Sequence, residues 1–323
     1  MTLKQSLEFE KPVAELEARL GEVKGLYEQG RVELKDDIKT LEKTVQALKR
    51  KIYTSMTPWQ VAQIARHPGR PYTLDYVDLI CDDFMELRGD RKYKDDPAIV
   101  GGLASIGGVS VMLIGHQKGR ATKDKIYRNF GMPHPEGYRK GLRLMCLAER
   151  LGIPVVTFID TPGAFPGLGA EERGQSEAIA ENLMVMSQLK VPIIAFVIGE
   201  GGSGGALAIG VADRVIMMEF SIYSVISPEG CAAILWRDGD KADVAAEALK
   251  VGAKELLKLG VIDKVLKEPL GGAHSNWAAV AKSMKKELLS SLKELQTTTV
   301  DALVEARYRK YRKMGVFLDP SSQ

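Results

Sequence analysis

The chain of 323 residues carries 45 Lys+Arg against 42 Asp+Glu, and a net charge of +3 supplies no global field that would draw nucleic acid or an anionic membrane. Cys81, Cys146 and Cys231 are far apart and form no Cys-x-x-Cys pair, which argues against a disulfide framework or a zinc site and for reduced core thiols. No apolar run approaches a membrane span and residues 1–10 lack the apolar core of a signal peptide, so a cytoplasmic chain is expected.

Leu16, Leu20, Val23 and Tyr27 recur at helical spacing, and after a break at Gly30 the series Leu34, Ile38, Leu41, Val45, Leu48, Ile52 alternates four and three apart, the seam of a coiled coil. Residues 12–52 are therefore expected to form a helical hairpin. Pro58, Pro68, Gly69 and Pro71 mark 57–73 as a linker, with basic Arg66, His67 and Arg70 in it, and a helix is predicted over 74–87. Residues 98–106 and 109–114 flank Gly107-Gly108 and predict a β-hairpin. The loop beyond it is basic (Lys118, Arg120, Lys123, Lys125, Arg128) and suits a phosphate or carboxylate.

From there the pattern reads helix (135–151), strand (153–159), Gly/Pro loop (160–167), helix (170–189), strand (191–198), glycine-rich turn, helix and strand (214–219). Right-handed crossovers in such a βαβαβ order put both loops at one edge of a parallel sheet. Ser227-Pro228-Glu229 opens a further helix, 240–259 reads as helix, 261–266 as a last strand, and Trp277, Val280, Met284 and Leu288 begin a long C-terminal helix.

The glycine-rich turn is the centre of the functional reading. Gly199, Gly201, Gly202, Gly204 and Gly205 surround Glu200 and Ser203 between a buried strand and a helix start, where unpaired N–H groups favour negative charge. Three chemistries fit it. Gly199-x-Gly201-x-x-Gly204 with Glu219 about twenty residues on matches a dinucleotide fingerprint, hence a NAD-dependent dehydrogenase. Gly201-x-Ser203-x-Gly205 with His274 downstream spells a serine hydrolase elbow. The third is an oxyanion hole of backbone N–H groups. His67, His116, His134 and His274 are isolated in sequence, so no metal is implied, and no Walker A lysine follows the glycines. A scaffold built on the N-terminal heptads is the non-enzymatic alternative.

Four segments carry a resemblance: Asp160-Thr161-Pro162-Gly163-Ala164-Phe165-Pro166-Gly167, Ala170-Glu171-Glu172-Arg173-Gly174-Gln175, Gly199-Glu200-Gly201-Gly202-Ser203-Gly204-Gly205-Ala206 and Tyr223-Ser224-Val225-Ile226-Ser227-Pro228-Glu229-Gly230-Cys231. With Arg66-His67-Pro68, Arg70-Pro71-Tyr72-Thr73 and Gly115-His116-Gln117-Lys118-Gly119, they closely resemble the carboxyltransferase α subunits of bacterial acetyl-CoA carboxylase. The resemblance implies an α/β crotonase-like ββα superhelix in place of a doubly wound sheet. It implies an N-terminal helical hairpin (1–56), a carboxyltransferase domain (57–295) and a C-terminal helical tail (296–323). It implies an enzyme that moves a carboxyl group from carboxybiotin on the biotin carboxyl carrier protein to acetyl-CoA, giving malonyl-CoA for fatty acid synthesis. The resemblance further implies that it acts only with a zinc-bearing β subunit, usually as α2β2, beside biotin carboxylase, and that this chain itself is expected to hold no metal. The resemblance places the oxyanion hole for the biotin ureido oxygen on Gly204, Gly205 and Ala206, and substrate contacts on Gly163, Ala164, Phe165, Gly202, Lys118 and Arg120.

Overall fold

A computed structural model describes residues 6–316; residues 1–5 of the expected hairpin segment and 317–323 of the expected tail lie outside the described residues. Helices α1 (Lys11–Glu28) and α2 (Lys35–Thr54) turn at Gly30, whose φ of 103° suits glycine. Ion pairs Lys24–Glu42 and Lys49–Glu17 fix them antiparallel. The six seam residues from Leu34 to Ile52 are all buried or half-buried, as the heptad spacing requires, and Glu42, Lys49 and Tyr53 are withdrawn beside them.

The expected linker is instead partly helical. Pro58 sits at the first position of α3 (Pro58–Ala65), and Thr57 and Gln60 close a capping box, so the proline starts a helix rather than breaking one. The expected 74–87 helix is also corrected: α4 (Thr73–Ile80) stops early and Phe84 belongs to a strand, β1 (Asp83–Glu86), paired antiparallel with β2 (Ile99–Ile106). β2 turns through Gly107-Gly108, both at positive φ, into β3 (Val109–His116).

After α5 (Thr122–Tyr127) and α6 (Pro135–Leu151) the chain enters parallel strands β4 (Val155–Thr161) and β5 (Ile193–Gly202), with α7 (Leu168–Glu172) and α8 (Gln175–Gln188) between them. The single 170–189 helix is thus broken, at Gly174 with φ 80°. A short α9 (Ser203–Leu207) leads to β6 (Arg214–Met218) and β7 (Ile222–Ser224). Then follow α10 (Pro228–Trp236), α11 (Ala242–Leu249), α12 (Ala253–Lys258), β8 (Lys264–Leu266), α13 (Trp277–Leu295) and α14 (Val300–Arg312). The expected 240–259 helix is likewise two, separated where Lys250 takes a φ of 52°.

The main sheet runs β1-β2-β3-β4-β5-β6-β8. Its central strands are covered on both faces, and β5 shows the period of two: Ile193, Ala195 and Val197 enter the core beneath α6 and α8, Ile194, Phe196 and Ile198 the core beneath α4 and α13. At the C-terminal ends the strands bend. The β4/β5 register shifts between Ile159 and Thr161, Thr161 pairs Gly201, and Glu200, Gly201 and Gly202 pair Ile222, Tyr223 and Ser224 of β7. β5 therefore continues into a second short ladder with β7 before α9, the strand-strand-helix unit of a ββα superhelix.

Candidate active site

The glycine turn sits where β5 leaves that second ladder and α9 begins, directly against the loop that follows β4. A Cβ on Gly202 would lie 2.2 Å from the Pro162 carbonyl oxygen, and one on Gly205 2.5 Å from the Gly163 carbonyl carbon and 2.6 Å from the Ala164 nitrogen. Glycine is needed at both because two backbones touch. The two Gly-rich loops thus share one crevice, as the βαβαβ order predicts. Ser203 is exposed with φ 52°. Gly202 is the N-cap, so its carbonyl receives the Ala206 N–H in the first α9 turn. Among the described residues, the N–H groups of Gly204 and Gly205 lie in the first turn of α9 and bond no loop residue, whereas the parallel Gly202–Ser224 pairing turns the Ser203 N–H toward the Ser224 carbonyl. Of the three residues expected to form the hole, Gly204 and Gly205 keep free donors, while Ala206 is drawn into the helix.

Ser203 and Gly204 border an apolar hollow of about 280 Å³, walled by them and Leu207 on one side and Tyr223, Ser224 and Val225 on the other. The 160–167 loop behind the turn is fixed by Thr161, whose hydroxyl accepts the Gly163 N–H (3.1 Å) and lies 2.6 Å from the Gly131 carbonyl. Phe165 donates its N–H to Pro133 O and stacks on the His134 ring, centroids 4.1 Å apart. Beneath the turn the fully buried His116 ring faces the Gly205 and Phe158 backbones, and burial outweighs them and pushes it down to about 3, so it stays neutral at ordinary pH.

Lys118 and Arg120 are not the open cations expected of an anion-binding loop. Lys118 Nζ donates to Asp160 (2.7 Å) and Glu200 (2.8 Å), and those carboxylates hold it charged despite its burial. Arg120 donates to Asp75 (2.7 Å) and the Arg70 carbonyl and lies over the Tyr72 ring at 4.2 Å. Glu200 also accepts from Arg66 (2.8 Å), and although burial pushes its carboxyl up, Lys118 and Arg66 outweigh it and hold it low. Arg70, buried, cradles Ile198 O and forms a two-bond pair with Glu268. A charged foundation thus lies under the turn, and basic residues scattered from 66 to 120 gave no sign of their carboxylate partners in sequence.

The rival chemistries lose their partners. Glu219 accepts the Glu268 N–H at 3.2 Å, so its carboxylate caps backbone instead of facing the turn. His274 stacks on His67 at 4.0 Å and meets Glu10 at 3.2 Å, and among the described residues no histidine bonds Ser203. Ser203→Ala is therefore expected to keep most carboxyl-transfer activity, and covalent labelling of Ser203 by a fluorophosphonate would contradict this. The histidines are not all isolated, however. Glu10, His67 and His274 offer ligand atoms within 4.8 Å of one another, although His67 Nδ1 already accepts the Gly69 N–H and Glu10 already accepts from Tyr53 and Leu7. Cys81, Cys146 and Cys231 are free and half-buried.

Residues 6–315 match the family model for acetyl co-enzyme A carboxylase carboxyltransferase-like proteins. The chain is 58% identical over 319 residues to the acetyl-coenzyme A carboxylase carboxyl transferase subunit alpha of Geobacter metallireducens, covering 99% of this chain and all of that one. Among solved structures, transcarboxylase 12S is similar with a TM-score of 0.58 at 21% identity, over 71% of this chain and 43% of that one. A chain of a Pseudomonas malonate decarboxylase hetero-tetramer with coenzyme A gives 0.55 at 17%, over 67% of this chain and 86% of that one. These likenesses bear out the crotonase-like fold. By its full-length identity and its matched family model, the chain belongs to the carboxyltransferase α subunits of acetyl-CoA carboxylase.

Proposed function

We propose that this chain, with a β subunit, transfers the carboxyl group of carboxybiotin, presented by the biotin carboxyl carrier protein, to acetyl-CoA, giving malonyl-CoA. The observation that carries the reading is the pair of N–H groups at Gly204 and Gly205 in the first turn of α9, with Gly204 lining an apolar hollow and Gly205 against the Gly163-Ala164 loop. As the carboxyl group leaves biotin, negative charge gathers on the ureido oxygen. Donors fixed at that position lower the barrier by roughly 3 to 4 kcal/mol each in comparable holes. The hollow's apolar walls suit the rest of the biotin bicycle.

This half-site has donors but no paired carboxylate or oriented histidine, which fits a crevice completed by another subunit. We assign the zinc and most of the CoA site to that β subunit in an α2β2 assembly, served by biotin carboxylase, in the cytoplasm. Among the described residues no helix is long and apolar enough to cross a membrane. The division at 56/57 and 295/296 belongs to the same proposal, with the helical pair and the last helix framing the 57–295 body. Malonyl-CoA formation should be absent with this chain alone and appear on adding the β subunit; a rate for the isolated chain close to that of the complex would overturn the reading.

A further inference from the structure

We propose that Arg66 is a positioning residue for carboxyl transfer, a brace that sets where the Val225–Glu229 segment stands against the donor-bearing wall, beyond the Gly202–Ser224 pairing that already joins the two walls; this rests on the function proposed above. Its guanidinium reaches both walls. Nε donates to Glu200 Oε2 at 2.8 Å, three residues before Ser203 on the wall that carries the N–H donors. Nη1 donates to Glu229 Oε1 at 2.6 Å, four residues after Val225 on the opposite wall.

Each end of the brace is itself anchored. Glu200 is held from behind by Lys118, and its N–H donates to Asp160 Oδ1 at 3.0 Å, tying it to the end of β4. Glu229 lies in the first turn of α10, where Ser227 accepts the Gly230 N–H at 3.0 Å, so a pull on its carboxylate moves the loop that supplies Val225. Arg66 is placed by α3, which packs Ala62 and Ala65 on Ile222 of β7, and the helix ends there, two residues before Pro68. A planar fork with two separated donors can span two carboxylates at fixed distance, whereas an ammonium offers one point of charge. The carboxylates it joins lie outside the hollow's own lining, so Arg66 acts through the walls and touches no reacting atom.

The test uses the assembled complex in the reverse direction, malonyl-CoA with free biotin as acceptor. For Arg66→Met and Arg66→Lys, KM for biotin should rise about tenfold or more, the scale on which small misplacements act, while KM for malonyl-CoA stays at the parent value. Glu229→Ala should reproduce the biotin effect, and Glu229→Gln, which still accepts the Arg66 N–H, should restore most of it. Glu229 is partly exposed and its carboxylate makes one ion pair, so this pair of variants serves even where Arg66→Met does not assemble. Unchanged KM for biotin in Glu229→Ala overturns the brace, and so does an equal loss on both substrates with a lowered melting temperature. A parent complex without exchange activity would instead remove the functional reading itself.

Discussion

Replacing Gly205 with valine in the assembled enzyme is expected to abolish carboxyl transfer. A side chain there has no room. Its Cβ would come within 2.5 to 2.6 Å of the Gly163 and Ala164 backbone, so the 160–167 loop must move away from the turn. Loss of one aligned donor costs about 10²- to 10³-fold in comparable holes, and displacement of the loop adds to that. Two further variants separate the causes. Gly204→Ala places its Cβ 3.5 Å from Ile179, an ordinary contact, and keeps the N–H, so activity should remain near the parent. A backbone ester at position 205 deletes the N–H without adding any atom to the side chain, so kcat should fall by about 10² or more while melting temperature holds close to the parent. A folded, assembled Gly205→Val complex turning over at near the parental rate would remove the turn from the mechanism.

The N-terminal seam, the Gly107-Gly108 hairpin and the parallel β4–α8–β5–α9–β6 order were all legible in the sequence because each rests on local spacing. What failed there failed for physical reasons. Prolines at 58, 68 and 71 read as breakers, but Pro58 occupies the one helical position where a missing N–H costs nothing. Phe84 and Leu87 continue an apolar helical period, yet pairing with β2 takes Phe84 into a strand. At the site, the touching glycines could be anticipated from their density. The roles of Lys118, Arg66 and Arg70 could not, since their partners lie 42 to 198 residues away along the chain. A basic loop and a buried charge lattice have the same composition, and only the carboxylates brought by the sheet tell them apart.

Arg307→Met is expected to give the largest loss of stability of any single side-chain replacement argued here. Arg307 is 1% exposed, on α14, and makes five hydrogen bonds: two to the Asp213 carboxylate and one to each of the Met186, Leu189 and Val191 carbonyls. Methionine has similar length and none of these donors, so a buried carboxylate and three carbonyls are left without them. Breaking a buried pair from one side costs about 3 to 5 kcal/mol, on the order of 4–7 °C in melting temperature for a chain of this size. Asp213 also accepts the Ile193 N–H at 2.7 Å, at the end of β5 opposite the glycine turn. Arg307→Met with Asp213→Asn keeps an acceptor for that N–H and removes the stranded charge. The double variant should therefore melt above the sum of the two single losses, a coupling expected of groups in direct contact. Since α14 meets β5 at its far end, the surviving folded fraction should keep its turnover per molecule. If Arg307→Met melts within a degree of the parent, α14 is not anchored through this residue.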